Sequence, residues 1–261
     1  ASIMVVALVA GLFSPLAPAP LAPQPVQAAT IIVDGVVDAA YGPPIASDPA
    51  GDGNGNPNMD LLDLYITDDA NYFYFAFTIN DDIIATNWGK YVIYIDTTND
   101  ANGATTDAWG RNVVVNDPHK PEYGLYAWVD STSFGVGNTQ LVAWDGSGWD
   151  WGNVGQASDA ARAVDSGIST IEYRIAKADL GNPETIWVEV WSTGGGGGDN
   201  AQDTINDPPD DWNATDWNTQ AVLDCSTEYV ARFVGEPPSA GHDNDIWWSH
   251  LGHNSRDPLY R

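Results

Sequence analysis

The sequence predicts an all-β fold, either an antiparallel β-sandwich or a jelly roll. Short apolar segments recur along the chain, and turn-forming Gly, Asn, Asp and Pro residues separate nearly all of them. In residues 72–79 the side chains of Phe73, Phe75, Phe77 and Ile79 alternate onto one face, as in a strand that covers a core. Because no segment keeps a helical period, many short strands are favoured over a mixed α/β fold.

The first two long strands are expected to form a hairpin. Residues 61–67 place Leu62, Leu64 and Ile66 on one face, and a short polar turn connects them to residues 72–79. Further strands are predicted at residues 91–96, 111–116, 123–130, 139–144, 169–175, 185–191 and 228–233.

The sequence predicts that the chain is divided into three parts. Residues 1–29 combine an apolar run at 3–13 with a proline-rich stretch and a terminal Ala-Ala, which is typical of a secretory signal peptide without its positive n-region. The alternative is a membrane anchor, although the run is shorter than the ~20 residues that a spanning helix needs. Residues 30–235 would form the sandwich. Residues 236–261 would be a linker and the truncated start of a following domain.

The charge balance points to an extracellular or cell-surface protein. The chain has 9 Lys and Arg residues against 36 Asp and Glu residues, a net charge of −27. Such a surface repels nucleic acids, whose binding needs a basic footprint. Cys225 is the single cysteine, so an internal disulfide is excluded. The acidic surface suits a secreted protein kept soluble by self-repulsion, or one whose carboxylates bind Ca²⁺.

A first loop is a candidate calcium site. Asp48, Asp52, Asn54 and Asp60 lie in a stretch interleaved with glycines that allow a tight backbone path. Ca²⁺ prefers six to eight oxygen ligands from such loops. The alternative is ordinary turn chemistry, because Asp, Asn and Gly are also the residues that turns favour.

A second loop has a similar density of oxygen ligands. Its candidate metal ligands are Asp96, Asp100, Asn102 and Asp107. The spacing does not fit an EF-hand, since the glycine expected at its sixth position is missing and no helices flank the loop. Turn chemistry is again the alternative.

Carbohydrate binding would depend on tryptophan side chains, because the flat indole packs on the apolar face of a sugar ring. Trp144, Trp149 and Trp151 lie in one polar, glycine-rich segment, and in an extended chain Trp149 and Trp151 would share a face about 7 Å apart. A second polar segment contains Trp212 and Trp217. The alternative is partial burial, which is common for tryptophan.

Several motifs resemble known carbohydrate-active families. The segment Ile31-Ile-Val-Asp-Gly-Val-Val-Asp38, followed by Tyr41, resembles the opening of family 9-type carbohydrate-binding modules. The segments 48–77, 91–96 and 173–181 are similar to the C-terminal binding module of glucodextranase and its relatives. These resemblances imply a β-sandwich with bound Ca²⁺ and a role linked to carbohydrate or the cell wall.

The end of the chain resembles a different region. The run from Asp243 to Arg261 contains Asp-Asn-Asp-Ile-Trp-Trp, then Leu-Gly-His-Asn and Tyr-Arg. It is similar to the start of the N-terminal region of secreted α-amylase and pullulanase-type enzymes, which belong to glycoside hydrolase family 13. This resemblance implies that a starch-active catalytic domain follows the sandwich.

Two functions are therefore open. The first is a non-catalytic, calcium-stabilised accessory module of a secreted α-glucan-active enzyme, which binds α-glucan or the cell surface. The second is a surface-layer or filament subunit that assembles by β-strand addition through its apolar N-terminal segment. An enzyme within the chain is disfavoured, because no nucleophile-elbow, zinc-protease or phosphate-loop motif is present.

Overall fold

The computed structural model describes residues 30–116, 118–130, 132–205 and 214–232. These residues form short 3₁₀ helices at Ala39–Tyr41, Pro57–Met59, Val136–Asn138 and Lys177–Leu180. The strands are β1 (Ala46–Ser47), β2 (Leu61–Asp68), β3 (Tyr72–Ile79), β4 (Lys90–Asp96), β5 (Val113–Val115), β6 (Tyr123–Trp128), β7 (Thr139–Ala143), β8 (Asp159–Asp165), β9 (Ile168–Ala176), β10 (Thr185–Thr193), β11 (Ala201–Thr204), β12 (Ala221–Leu223) and β13 (Thr227–Val230). The predicted signal peptide and the predicted start of a following domain lie outside the described residues.

Two antiparallel sheets form the sandwich, which confirms the predicted all-β fold. The first sheet has the order β1-β2-β3-β9-β8, and the second has the order β11-β10-β4-β6-β7, with β13 also paired to β10. A parallel pair, β5 and β12, packs on the outer face of the second sheet. In the described part of the chain, no helix is long and apolar enough to cross a membrane.

The main core lies between the two sheets. Phe73, Phe75, Phe77 and Ile79 of β3 are all buried in it, as their alternation predicted. The expectation for β2 was wrong at one position, because Leu61 is buried in the core and Leu62 is not. The pairing of β2 with β3 shifts register between Leu61 and Leu64, and this irregularity reverses the inward and outward alternation.

The outer face of the second sheet carries a smaller, aromatic core. Tyr94, Tyr126 and Trp191 are buried there against the parallel β5–β12 pair. The β5–β12 pair covers this face as a third layer. Large aromatic side chains can therefore point away from the main core and still be shielded from water. Part of the outer face of the second sheet is therefore packed against protein and is not exposed to solvent.

Glycine at position 35 explains part of the Ile-Val-Asp-Gly motif. Gly35 has a φ of +87°, and an added Cβ would collide with the backbone of Arg162 and Ala163 in β8. The tight approach lets the carboxylate of Glu172 in β9 accept hydrogen bonds from the backbone N–H groups of Asp34 and Gly35, at 2.9 and 2.6 Å. The motif thus fastens the start of the module to the edge of the first sheet.

We expect Gly35→Ala to destabilise the chain by about 3 kcal/mol, because left-handed strain and a backbone collision add together. Gly181 is the matched control, with a φ of +79° and open space around an added Cβ. Gly181→Ala should cost only about 1 kcal/mol of strain. Urea denaturation measures both, and equal losses for the two variants would show that close packing at Gly35 is unimportant.

Candidate functional site

Four aspartates meet at one edge of the sandwich. Asp48 follows β1, Asp52 lies in the loop between β1 and β2, Asp60 directly precedes β2, and Asp203 lies in β11. Each offers a carboxylate oxygen, and these four oxygens all lie within 4.8 Å of one another. Asp48, Asp60 and Asp203 are buried. We call these four residues the aspartate cluster.

The glycines of the loop make this meeting possible. Gly51 and Gly55 adopt φ values of +105° and +73°, and Asn54 between them also has a positive φ of +51°. Gly53 approaches the backbone so closely that an added Cβ would lie 2.8 Å from the Cα and N atoms of Asp60. Only a glycine-rich chain can turn this tightly while it brings its carboxylates inward.

Neighbouring donors hold two of the carboxylates in a fixed orientation. Oδ2 of Asp60 accepts hydrogen bonds from the backbone N–H of Gly51 at 2.8 Å and from Nδ2 of Asn80 at 2.7 Å. Oδ2 of Asp203 accepts one from the backbone N–H of Leu61 at 2.6 Å. The Oδ1 atoms of Asp60 and Asp203 are buried and have no hydrogen-bond partner within the described structure. Each of these side chains thus has one oxygen fixed by the protein and one still available as a ligand.

Burial and neighbouring negative charges both disfavour ionisation of Asp203 in the aspartate cluster. Burial, together with the negative charges of Asp48, Asp52 and Asp60, raises the pKa of Asp203 to about 9. Several ionised carboxylates cannot share one buried place without a proton or a cation between them. The cluster therefore requires positive charge at neutral pH.

The ligand set fits Ca²⁺. All four side chains offer oxygen, and no imidazole or thiolate of the described residues belongs to the cluster, so a zinc-type site is disfavoured. Ca²⁺ binds oxygens at about 2.3–2.6 Å, so oxygens on opposite sides of one ion would lie about 5 Å apart, close to the spread of this cluster. Mg²⁺ demands a smaller octahedron and keeps several waters.

The cluster contains three of the four residues predicted for the first loop. The fourth, Asn54, donates a hydrogen bond from Nδ2 to Oε1 of Gln202 at 2.8 Å. Asp203 was missed, because it lies over 140 residues from the loop and in a segment that carries no metal-binding pattern. Only the pairing of β11 with β10 brings it to the loop.

The residues predicted for the second loop are not brought together in the same way. Asp107 accepts hydrogen bonds from the hydroxyls of Tyr94 and Tyr126 at 2.8 and 2.7 Å. Asp96 contacts Nδ1 of His119 at 2.8 Å. The exposed Asp100 caps the backbone N–H of Asn102 in a local turn. Within the described residues, these four take no part in a cluster with metal-binding spacing.

The structure describes the three tryptophans of the first predicted sugar-binding segment. Trp149 is half-buried, donates its Nε1–H to the carbonyl of Thr106 at 2.7 Å and stacks on Tyr94. Trp144 meets Trp149 edge-on, with ring centroids 5.9 Å apart. Trp151 is 47% exposed in the turn that follows. The ring neighbours of Trp149 are thus Tyr94 and Trp144.

The second tryptophan segment contributes to a surface pair. The ring centroids of Trp217 and Trp88 lie 6.0 Å apart with their planes inclined by 47°, and Trp88 is 40% exposed. Trp88 was not among the predicted sugar-binding residues. Trp212 lies outside the described residues.

Comparison with known proteins provides no assignment. The chain matches no model of a known protein family, and a search of curated proteins finds no significant match. The resemblances to carbohydrate-binding modules and to amylase-type enzymes therefore stay predictions.

We expect the metal-free chain to lose stability as the pH rises from 7 to 9. The pKa of Asp203 is raised in the folded state, so protonated Asp203 stabilises the fold and the contribution is lost as the pH passes through about 9. Other raised carboxyl pKa values, about 6 for Asp96 and about 7 for Glu122, affect mainly lower pH.

Urea denaturation in the presence of a chelator measures this loss. Asp203→Asn keeps the shape of the protonated carboxyl without its titration, so its stability should stay level over the same range. A parallel decline in the variant and the natural chain would contradict the assignment to Asp203.

Proposed function

We propose that this chain is a non-catalytic, calcium-stabilised accessory module of a secreted α-glucan-active enzyme, which it holds on α-glucan or on the cell surface. The main observation in support of this proposal is the aspartate cluster, whose buried and oriented carboxylate oxygens suit a calcium ion. The sandwich fold and the motifs that resemble carbohydrate-binding modules support the same function.

A calcium ion in this cluster would join the two sheets. Asp48, Asp52 and Asp60 belong to the loop and strand start at the β1–β2 edge of the first sheet, and Asp203 belongs to β11 at the edge of the second. A cation that binds all four carboxylates therefore links elements that no disulfide can link, since Cys225 is the single cysteine. Calcium would thus supply the cross-link that many secreted domains obtain from cysteine pairs.

A residue beside β11, at this edge of the second sheet, also holds the loop that contributes Trp217 to the surface pair with Trp88. Nδ2 of Asn200, just before β11, donates hydrogen bonds to the carbonyls of Asp216 and Thr219 at 3.1 and 2.6 Å, which fixes the loop that carries Trp217. Two neighbouring, partly exposed indoles can pack on the apolar faces of a glucan chain. Because β11 also carries Asp203, bound calcium would order this surface.

Calcium should raise the thermal stability of the chain. At calcium concentrations about a thousandfold above Kd, binding contributes about 4 kcal/mol, which corresponds to a rise in Tm of about 10 °C for a domain of this size. Differential scanning calorimetry with calcium and with a chelator measures the shift. The shift should shrink strongly in Asp203→Asn, and an undiminished shift there would place the ion elsewhere.

Affinity electrophoresis through soluble starch, pullulan and a β-glucan tests the glucan contact. With calcium present, starch or pullulan should retard the natural chain, and the double variant Trp88→Ala/Trp217→Ala should migrate without retardation. Val230→Ala, which removes another exposed apolar side chain at the opposite end of β10 from Lys90, is the control and should behave as the natural chain. A folded, calcium-bound chain that no glucan retards would refute glucan binding and leave attachment to the cell surface.

A further inference from the structure

A cleft on the second sheet lies close to the Trp88–Trp217 pair. It has a volume of about 440 Å³, and its lining includes Trp128, Gln140, Val154 and Gln156. Trp128 pairs with Lys90 across β6 and β4, and Nζ of Lys90 donates a hydrogen bond to the carbonyl of Trp88 at 3.0 Å. The cleft and the tryptophan pair are therefore neighbours at the same end of the sheet.

Residues 154–156 form one wall of the cleft and run beside β7 like an additional strand. The backbone N–H and carbonyl of Gly155 form two hydrogen bonds with Leu141 of β7, at 2.8 and 2.9 Å. This pairing places Val154 and Gln156 beside β7 and closes one side of the cleft. The segment thus covers the edge of the sheet and leaves a groove next to it.

Aromatic neighbours pack against Trp128. The ring of Trp109 packs against Trp128 with centroids 4.7 Å apart and against Tyr126 at 4.4 Å. The guanidinium of Arg111 also lies over the ring of Trp109, 5.6 Å from its centroid. Trp128 is the indole that lines the cleft, and its neighbours hold it in a fixed orientation.

Two amide side chains offer complementary hydrogen bonds. Oε1 of Gln140 accepts a hydrogen bond from Nε1 of Trp109 at 3.0 Å, which fixes the amide and leaves its Nε2 donors available. Gln156 is exposed. A primary amide both donates and accepts, which matches neighbouring hydroxyl groups of a sugar.

Among the residues that the structure describes, the lining carries no ionised side chain, although the chain as a whole has a net charge of −27. An anionic ligand would meet repulsion from the surface, and a cationic ligand would find no carboxylate in the lining. An indole beside two amides in an uncharged groove fits a neutral, polyhydroxylated ligand.

We propose that this cleft is a second subsite for a neutral oligosaccharide, at the same end of the sheet as the Trp88–Trp217 pair. This inference rests on the proposed glucan-binding function and deepens it. The chain then binds a run of several sugar units, and long oligosaccharides bind more tightly than short ones because only they reach Trp128 and the two amides.

Isothermal titration calorimetry of the full chain with calcium tests the subsite, with maltotriose, maltohexaose and cellohexaose as probes. Maltohexaose should bind at least about tenfold more tightly than maltotriose, as one added aromatic contact and one or two hydrogen bonds would give. Gln156→Ala should weaken maltohexaose binding about fivefold and leave maltotriose unchanged. Trp128→Ala should abolish the preference for the longer sugar.

Asn71→Ala is the matched control, because it removes an exposed amide from the β2–β3 turn of the other sheet. The side-chain amide signals of Gln140 and Gln156 in ¹H–¹⁵N NMR spectra give a second readout that does not depend on folding of the Trp128 variant. They should shift with maltohexaose and stay in place with maltotriose.

The outcomes distinguish a failure of the subsite proposal from a failure of the proposed function. Equal affinities for maltotriose and maltohexaose, with unmoved amide signals, would overturn the subsite and leave glucan binding at Trp88 and Trp217 intact. Binding of cellohexaose alone would support the cleft as a neutral-sugar subsite and contradict the α-glucan specificity. No binding of any of the three sugars to the folded chain would overturn both.

Discussion

How the two sheets are held together depends on how the charge of four neighbouring aspartates is balanced. Asp48, Asp52, Asp60 and Asp203 bring their oxygens within 4.8 Å of one another at a largely buried edge. Such an arrangement persists only if protons or a cation balance the charge. Because the four residues come from both sheets, whatever balances the charge also determines how firmly the sheets are joined. A bound cation would therefore couple the stability of the chain, the order of the adjacent loop and the proposed sugar surface.

The fold was predictable because its signals are local. The alternating aromatic residues of β3 and the turn residues between strands directly reflect the two-residue period of a sheet. One detail was not predictable: the register irregularity in β2 moves Leu61 rather than Leu62 into the core. A sequence pattern shows the period of a strand but does not show where an extra residue shifts its phase.

The candidate site was only partly predictable, since it combines a local loop with a distant strand. The glycine-rich spacing around Asp52 pointed to the loop, whereas Asp203 depends on long-range strand pairing that one sequence does not reveal. The aromatic residues show the same limit. The sequence did not show that Trp149 stacks on Tyr94, or that Trp88 packs against Trp217, which lies more than a hundred residues away in the chain. Composition indicates that tryptophans are abundant, and only tertiary packing decides which of them face solvent.

Equilibrium dialysis with radioactive calcium shows whether the aspartate cluster holds a calcium ion. The natural chain should retain a tightly bound ion, and Asp203→Asn should lose it. Asp100→Asn removes the same charge from an exposed turn of the second loop and should retain the ion. This result would establish that the aspartate cluster binds calcium through a residue from each sheet. Calcium retained equally by both variants, or by none of the three proteins, would contradict the account.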